Sequence, residues 1–198
     1  MNKIWIVLII AIFFSGCSLK EVGKPIVKYS IESTAPSESK IKSDKILKIS
    51  RFKTPAYLVG NQIWYKRESL RTNSYLYSSW NQDFPAMIEY MLSSTLYKSG
   101  LFRSVFANYS KSKSDYTLEG EIVKAVQNIT KKGANVTFEI RLYLIDSKTS
   151  TLISSKDFSY TKECESINAK GAVKAYNSTI KKFSKEVIKW LKKSVKED

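Results

Sequence analysis

The sequence predicts a two-layer α+β domain, in which two helices pack on one face of a mostly antiparallel sheet. Alternating apolar and polar residues indicate several strands, and apolar residues spaced by three and four indicate two helices. The 198 residues are 43% hydrophobic and include only 7 glycines and 4 prolines, a composition typical of a folded chain. A chain of this length is expected to form one hydrophobic core.

The first 16 residues are predicted to be a lipoprotein signal peptide. Lys3 precedes an apolar run over Ile4–Phe14, and the small residues Ser15 and Gly16 precede Cys17. As a helix, this run would span about 16 Å of a ~30 Å hydrocarbon core, which favours a cleaved signal over a transmembrane span. Residues 14–17 resemble a bacterial lipobox, so Cys17 is the predicted lipidation site. The alternative is an ordinary signal peptide with an incidental cysteine.

Residues 17–25 are predicted to be a lipidated tether and residues 26–198 a single domain. The eight residues from Ser18 to Pro25 extend over at most about 29 Å, so the domain is expected to lie close to the membrane. With 33 Lys+Arg against 18 Asp+Glu, the formal net charge is +15. Because no nucleic-acid-binding motif accompanies this charge, an anionic membrane surface is the expected partner rather than nucleic acid.

The composition argues against an enzyme. The chain has no histidine, which excludes histidine-based nucleophile activation and histidine-ligated metals. Glu119 and Glu121 share one face of a predicted strand, but their surroundings alternate as in an ordinary sheet. Cys164 is flanked by carboxylates and has no disulfide partner if Cys17 is lipidated, and its role stays open. We therefore predict no catalytic residue, metal or cofactor.

The elements follow one another as short strands, a helix, further strands and a final helix. Short strands at 26–31, 46–52, 62–67 and 75–77 suggest a meander. A helix follows Trp80, with Pro85 in its first turn and Gly100 as its stop. A strand over 101–109 precedes three longer strands, at 116–129, 135–145 and 152–160, which are predicted to pair antiparallel.

The last helix is predicted from Asn168 to Lys193. One face is apolar, and the remaining faces are crowded with lysines. We expect the apolar face to cover the sheet. The alternative is that the basic faces also dock on an anionic membrane or an acidic partner.

Aromatic residues are concentrated between residues 57 and 80. They alternate with cations, a mixture typical either of a core or of an interface. Along one strand, Trp64 and Lys66 should share one face and Tyr65 and Arg67 the other. The candidate partner interface comprises Trp64, Tyr65, Lys66, Arg67, Tyr75 and Trp80.

Short motifs in a characteristic order resemble those of the ABC-type transport auxiliary lipoprotein family. Its paraquat-inducible lipoproteins accompany MCE-type lipid transporters. The matching features are Cys17, the strand around Tyr29, Pro55 to Leu58, Ile63 to Arg67, Tyr75 followed by Trp80, Pro85 ahead of a helix, Ser99 to Phe102, and Asp115 to Leu118. The chain departs from the family at Asn81-Gln82-Asp83, where members more often carry Ala-Glu, and in its heavier lysine content.

The resemblance implies a non-enzymatic periplasmic component of a phospholipid transport system. It implies an MCE-domain protein, with its ABC permease and ATPase, as partners, and a possible homo-oligomer. Ser18 follows Cys17 in place of the aspartate that retains many lipoproteins in the inner membrane, which favours the outer membrane. The alternative function is an outer-membrane lipoprotein that binds peptidoglycan or activates a cell-wall enzyme.

Overall fold

The computed structural model describes residues 24–32, 43–68, 71–107 and 110–195. The predicted signal peptide, Cys17 and most of the predicted tether lie outside these ranges. The described elements, in chain order, are β1 (Val27–Tyr29), β2 (Ile46–Ile49), β3 (Gln62–Arg67), β4 (Thr72–Trp80), α1 (Phe84–Lys98), β5 (Ser104–Ala107), β6 (Tyr116–Thr130), β7 (Gly133–Asp146), β8 (Thr151–Glu163) and α2 (Ala169–Ser194). A short 3₁₀ helix, Ala56–Leu58, precedes β3. The predicted α+β class is confirmed.

The long strand β6 organises the sheet. One of its edges pairs antiparallel with β7 along nearly its whole length, and β7 pairs antiparallel with β8. The other edge of β6 is shared by two strands, both parallel to it. β2 pairs with residues 116–118, and β3 pairs with residues 127–129. The sheet therefore forks beyond β6.

Each branch of the fork carries further strands. β2 pairs with β5 in parallel, while β3 pairs antiparallel with β4, which in turn pairs in parallel with β1. The meander predicted for the first half is therefore wrong outside the β3–β4 hairpin. The reason is the path of residues 50–53, which continue along β6: the Ser50 and Lys53 amides donate to the carbonyls of Leu118 and Gly120, both at 2.9 Å. The chain does not reverse between β2 and β3, so both strands run parallel to β6.

Both helices begin at side-chain caps. The Asp83 carboxylate accepts from the Ala86 amide at 3.2 Å and from the Gly60 amide at 2.7 Å, which ties the start of α1 to the loop before β3. The Asn168 side chain accepts from the Gly171 amide at 2.9 Å. The chain leaves α1 through Gly100, whose φ of +65° favours glycine. The sequence analysis predicted that this helix stops at Gly100.

The two helices and the sheet enclose one core. Ser184 on α2 lies 3.1 Å from the sulfur of Met91 on α1, so the helices contact each other as well as the sheet. Phe183 is fully buried and packs edge-on against Phe138 and Phe158, with ring centroids 5.5 and 5.2 Å apart. The other faces of α2 expose the lysines that the sequence places there: Lys174, Lys181, Lys182, Lys185, Lys189, Lys192 and Lys193. No helix in the described part of the chain is long and apolar enough to cross a membrane.

Candidate partner interface

The candidate residues on the β3–β4 hairpin are held in antiparallel register. Trp64 lies opposite Ser74, Tyr65 opposite Asn73, and Lys66 opposite Thr72. A register shift between Gln62 and Trp64 interrupts the pairing at the start of β3. The free edge of β3 then pairs with β6, so that Tyr65 lies beside Gln127.

A stack of three side chains forms on this hairpin. The Arg67 guanidinium lies 5.7 Å from the centroid of the Tyr65 ring, as expected for residues two apart on one strand face. The Tyr65 ring in turn lies 4.8 Å from the ring of Tyr75, centroid to centroid. Arg67 is exposed, and both tyrosines are half-buried. We call Arg67, Tyr65 and Tyr75 the hairpin stack.

The base of the hairpin stack is fixed to the interior by hydrogen bonds. The Tyr75 hydroxyl donates to the side-chain oxygen of Gln127 at 2.6 Å, and Gln127 is fully buried. The Gln127 amide nitrogen lies 3.5 Å from both the Cys164 sulfur and the Asn168 carbonyl oxygen. Burial raises the pKa of Tyr75 to about 12, so the hydroxyl stays protonated and can donate. The stack is thereby connected to the start of α2.

Cys164 contributes packing and an acceptor rather than reactivity. Burial is the main cause that raises the pKa of its thiol above the ordinary value, and Glu163 adds to this effect. The thiol is therefore protonated at neutral pH and is a poor nucleophile.

The remaining candidate residues separate from the stack. Trp64 is half-buried and packs edge-on against Tyr57 with centroids 5.9 Å apart. Its indole nitrogen is buried and has no hydrogen-bond partner among the described residues. Lys66 is also half-buried. Trp80 is only 2% exposed, and its ring packs on Phe84 of α1. It is therefore a core residue and not part of an exposed interface.

Gln127 is the site residue that the sequence analysis missed. It is the polar member of an otherwise apolar run of alternate positions on β6, with Ala125 before it and Ile129 after it. A buried polar residue in such a run needs internal partners, and this requirement was the available signal.

The comparisons with known proteins identify the family. The model for the ABC-type transport auxiliary lipoprotein component matches residues 29–188, which include the whole hairpin stack. The chain belongs to this family. Membership indicates a membrane-anchored location in the cell envelope and association with an ABC transport system. A search of curated proteins found no match.

Solved structures share the fold of this auxiliary lipoprotein. The crystal structure of protein XCC0632 from Xanthomonas campestris is 16% identical, with a TM-score of 0.75 over 85% of this chain and 96% of that one. A crystal structure of an uncharacterized protein is 14% identical, with a TM-score of 0.60 over 80% of this chain and 99% of that one. At these identities the similarity concerns the fold alone.

The auxiliary lipoprotein also has a concavity of about 440 Å³ beside β6. Glu119 and Glu121, the paired carboxylates of the sequence analysis, line it together with Arg51 and Lys53. Its lining therefore carries charges of both signs. No group of three or more Cys, Asp or Glu side chains in the described ranges is arranged to hold a metal ion.

Proposed function

We propose that this auxiliary lipoprotein docks the MCE protein of an ABC-type phospholipid transport system at the outer membrane, without catalysing a reaction. The observation that carries the proposal is the hairpin stack of Arg67, Tyr65 and Tyr75. Tyrosine and arginine are enriched at the centres of protein interfaces, where rings supply contact area and guanidinium groups pair with carboxylates.

Two properties of the hairpin stack support a docking role. Its base is tied to the buried Gln127, so little side-chain freedom remains to be lost on binding. Its outer end is the exposed Arg67, and no carboxylate within the described ranges forms an ion pair with it. We therefore expect the partner to present an acidic side chain together with an apolar contact for the Tyr65 ring.

The docking surface is tested by a double variant, Tyr65→Ala with Arg67→Ala. Loss of an aromatic anchor and its cation should weaken binding of the purified MCE protein by about 1–3 kcal/mol, roughly 5- to 150-fold in affinity. The control is Tyr97→Ala with Lys98→Ala, which removes an exposed tyrosine and a cation from the end of α1. Titration calorimetry measures the affinity, and circular dichroism checks the fold.

Unchanged affinity in a folded double variant would contradict docking through the hairpin stack.

Co-purification from cells distinguishes the alternative function. An MCE protein and its permease should be recovered with the lipoprotein, whereas recovery with peptidoglycan or a cell-wall enzyme would favour the alternative.

Anchoring is tested at Cys17, which lies outside the described residues. We propose that its thiol is acylated and that the signal is then cleaved before it. Cys17→Ala should therefore accumulate as unprocessed precursor and incorporate no palmitate analogue on metabolic labelling. Cys164→Ala is the matched control, and label in the Cys17 variant at the wild-type level would reject the lipidation site. Density fractionation of the two membranes tests the outer-membrane location.

A further inference from the structure

An apolar patch is exposed where β1 begins at the edge of the sheet. Four of its side chains remain largely exposed, namely Ile26 at 58%, Val27 at 49%, Leu76 at 80% and Tyr77 at 51%. We call these four residues and Lys24 the β1 corner. Large aliphatic side chains that are clustered and exposed indicate a contact surface rather than ordinary scatter.

The strand register brings the residues of the β1 corner together at the edge of the sheet. Val27 lies beside Ser78 in the parallel pair of β1 and β4, so the chain that enters β1 runs beside Tyr77 and Leu76, and Ile26 and Val27 project to opposite sides of this edge. The Lys24 ammonium lies 5.7 Å from the centroid of the Tyr77 ring. The corner therefore combines aliphatic side chains, a tyrosine and a lysine. This mixture is typical of side chains at the boundary between lipid headgroups and hydrocarbon.

The proposed acylation of Cys17 would hold the β1 corner close to the membrane. Lys24 follows the predicted acylated Cys17 by seven residues, which extend over at most about 25 Å. Within the described residues, β1 pairs with β4 alone, so its other edge is unpaired. The corner is the first part of the folded domain that follows the tether.

We propose that the β1 corner contacts an anionic phospholipid surface, with Leu76 and Ile26 inserted among the headgroups and Lys24 beside the phosphates. This contact would orient the domain on the bilayer. It rests on the membrane anchoring in the proposed function, but not on the identity of the protein partner.

The charges favour a membrane over a second copy of the chain. Lys24 belongs to the corner and the exposed Lys28 lies next to it on β1, so two corners that met would bring like charges together. An anionic headgroup layer instead neutralises these lysines while it accepts the aliphatic side chains.

The test places a fluorescent label at the corner of the complete lipidated protein. Leu76→Cys is labelled with an environment-sensitive dye in a Cys164→Ser background, and the protein is reconstituted in phosphatidylethanolamine–phosphatidylglycerol vesicles carrying a spin-labelled lipid quencher. Leu152→Cys is the matched control, because Leu152 is also an exposed leucine, at 54%, and lies on β8 at the opposite edge of the sheet. We expect a blue shift and quenching at position 76, and neither at position 152.

The alternative outcomes are distinguishable. Equal quenching at both positions, or none at position 76, would overturn the contact. A blue shift at position 76 that appears without vesicles and increases with protein concentration would indicate self-association and would also overturn it. Flotation of the labelled protein with the vesicles reports anchoring separately. Failure to float would reject the lipid anchor, whereas flotation without quenching at position 76 would reject only the contact.

Discussion

Aromatic side chains serve different purposes in the two halves of the sheet. In β6–β7–β8 and α2, phenylalanines are fully buried and contact one another edge to face, with Phe183 between Phe138 and Phe158. In the β3–β4 hairpin, Tyr65 and Tyr75 remain half-exposed, and the buried part of Tyr75 ends at a hydrogen bond to Gln127.

The difference follows from the hydroxyl group. A phenyl ring is buried without a polar cost, whereas a phenol is buried favourably only where its hydroxyl finds a partner. Tyrosines are therefore suited to the boundary between core and solvent, where one end packs and the other remains available. The comparison indicates that the carboxy-terminal half supplies most of the stability and that the hairpin supplies a surface for recognition.

The largest expected effect is at the centre of the phenylalanine cluster. Phe183→Asp would bury an unpaired charge, which costs about 3–5 kcal/mol of a total stability of roughly 5–15 kcal/mol. We expect the variant to be unfolded or to lose most of its thermal stability, as measured by circular dichroism. Ser178→Asp, at an exposed position of α2, is the control and should melt like the wild type. An unchanged melting temperature for Phe183→Asp would place the residue outside the core.

A smaller effect is expected where α2 begins. A Cβ atom at Gly171 would lie 2.2 Å from the backbone oxygen of Ser166, which cannot move without displacing the loop. Gly171→Ala should therefore destabilise the protein by about 1–3 kcal/mol, although alanine favours helices in general. Lys170→Ala is the control, because its side chain is exposed in the same turn. Equal denaturation midpoints for the two variants would show that the close approach is relieved at no cost.

The hydroxyl of Tyr75 tests the hairpin side of the comparison. Tyr75→Phe leaves the oxygen of the fully buried Gln127 without its donor, at an expected cost of about 1–3 kcal/mol in the free energy of unfolding. Tyr77→Phe, which changes a largely exposed ring, should cost much less. Urea denaturation measures both. Equal stability of the two variants would show that the hydrogen bond contributes little.

The wild type and Tyr75→Phe should also differ in how their stability depends on pH. The pKa of Tyr75 is about 12 in the folded protein against 10.0 for an ordinary tyrosine, so the unfolded chain loses this proton first as the pH rises. Between these two values the free energy of unfolding of the wild type should fall with pH. Because Tyr75→Phe lacks the group, its disadvantage relative to the wild type should narrow across this interval. A difference in free energy of unfolding between the two proteins that stays constant or widens with pH would contradict the raised pKa of Tyr75.

The smallest effect is expected for an ion pair on the outside of the sheet. Arg141 and Asp157 lie opposite each other on β7 and β8, and their side chains are 44% and 68% exposed. Exposed pairs contribute little, because solvent and salt screen their attraction. Asp157→Asn should leave the thermal midpoint within the error of calorimetry at physiological salt. A clear decrease that disappears at high salt would show a stronger pair than expected.

The long local elements could be predicted from the sequence. The apolar period and the Asn168 cap predict α2 to within one residue at its carboxyl end, Lys193 against the observed Ser194. The strands β6, β7 and β8 alternate over many residues and are separated by turn residues, so their antiparallel order followed as well. These features depend on neighbours along the chain, which a sequence displays directly.

The parallel pairings and part of the site could not be predicted in the same way. Whether β2 and β3 lie beside β6 depends on the path of residues 50–53, and no local pattern encodes that path. Alternation correctly placed Tyr65 and Arg67 on one face. Trp80 lies in the same segment rich in aromatic residues and cations, so the sequence does not distinguish it from them. It ends β4 directly before α1, and the helix therefore covers it.

The forked edge of β6 also has a consequence for the order of folding. The β6–β7–β8 contacts form between strands that are neighbours in sequence. β2 instead pairs with a strand far along the chain: the Ile46 amide donates a hydrogen bond to the Asp115 carboxylate, 69 residues away. Loop closure of this length slows contact formation, so the carboxy-terminal strands are expected to assemble first and to serve as the template. An exported chain emerges amino terminus first. The edges of β2 and β3 that pair with β6 would therefore remain unpaired until the carboxy-terminal third of the chain has crossed.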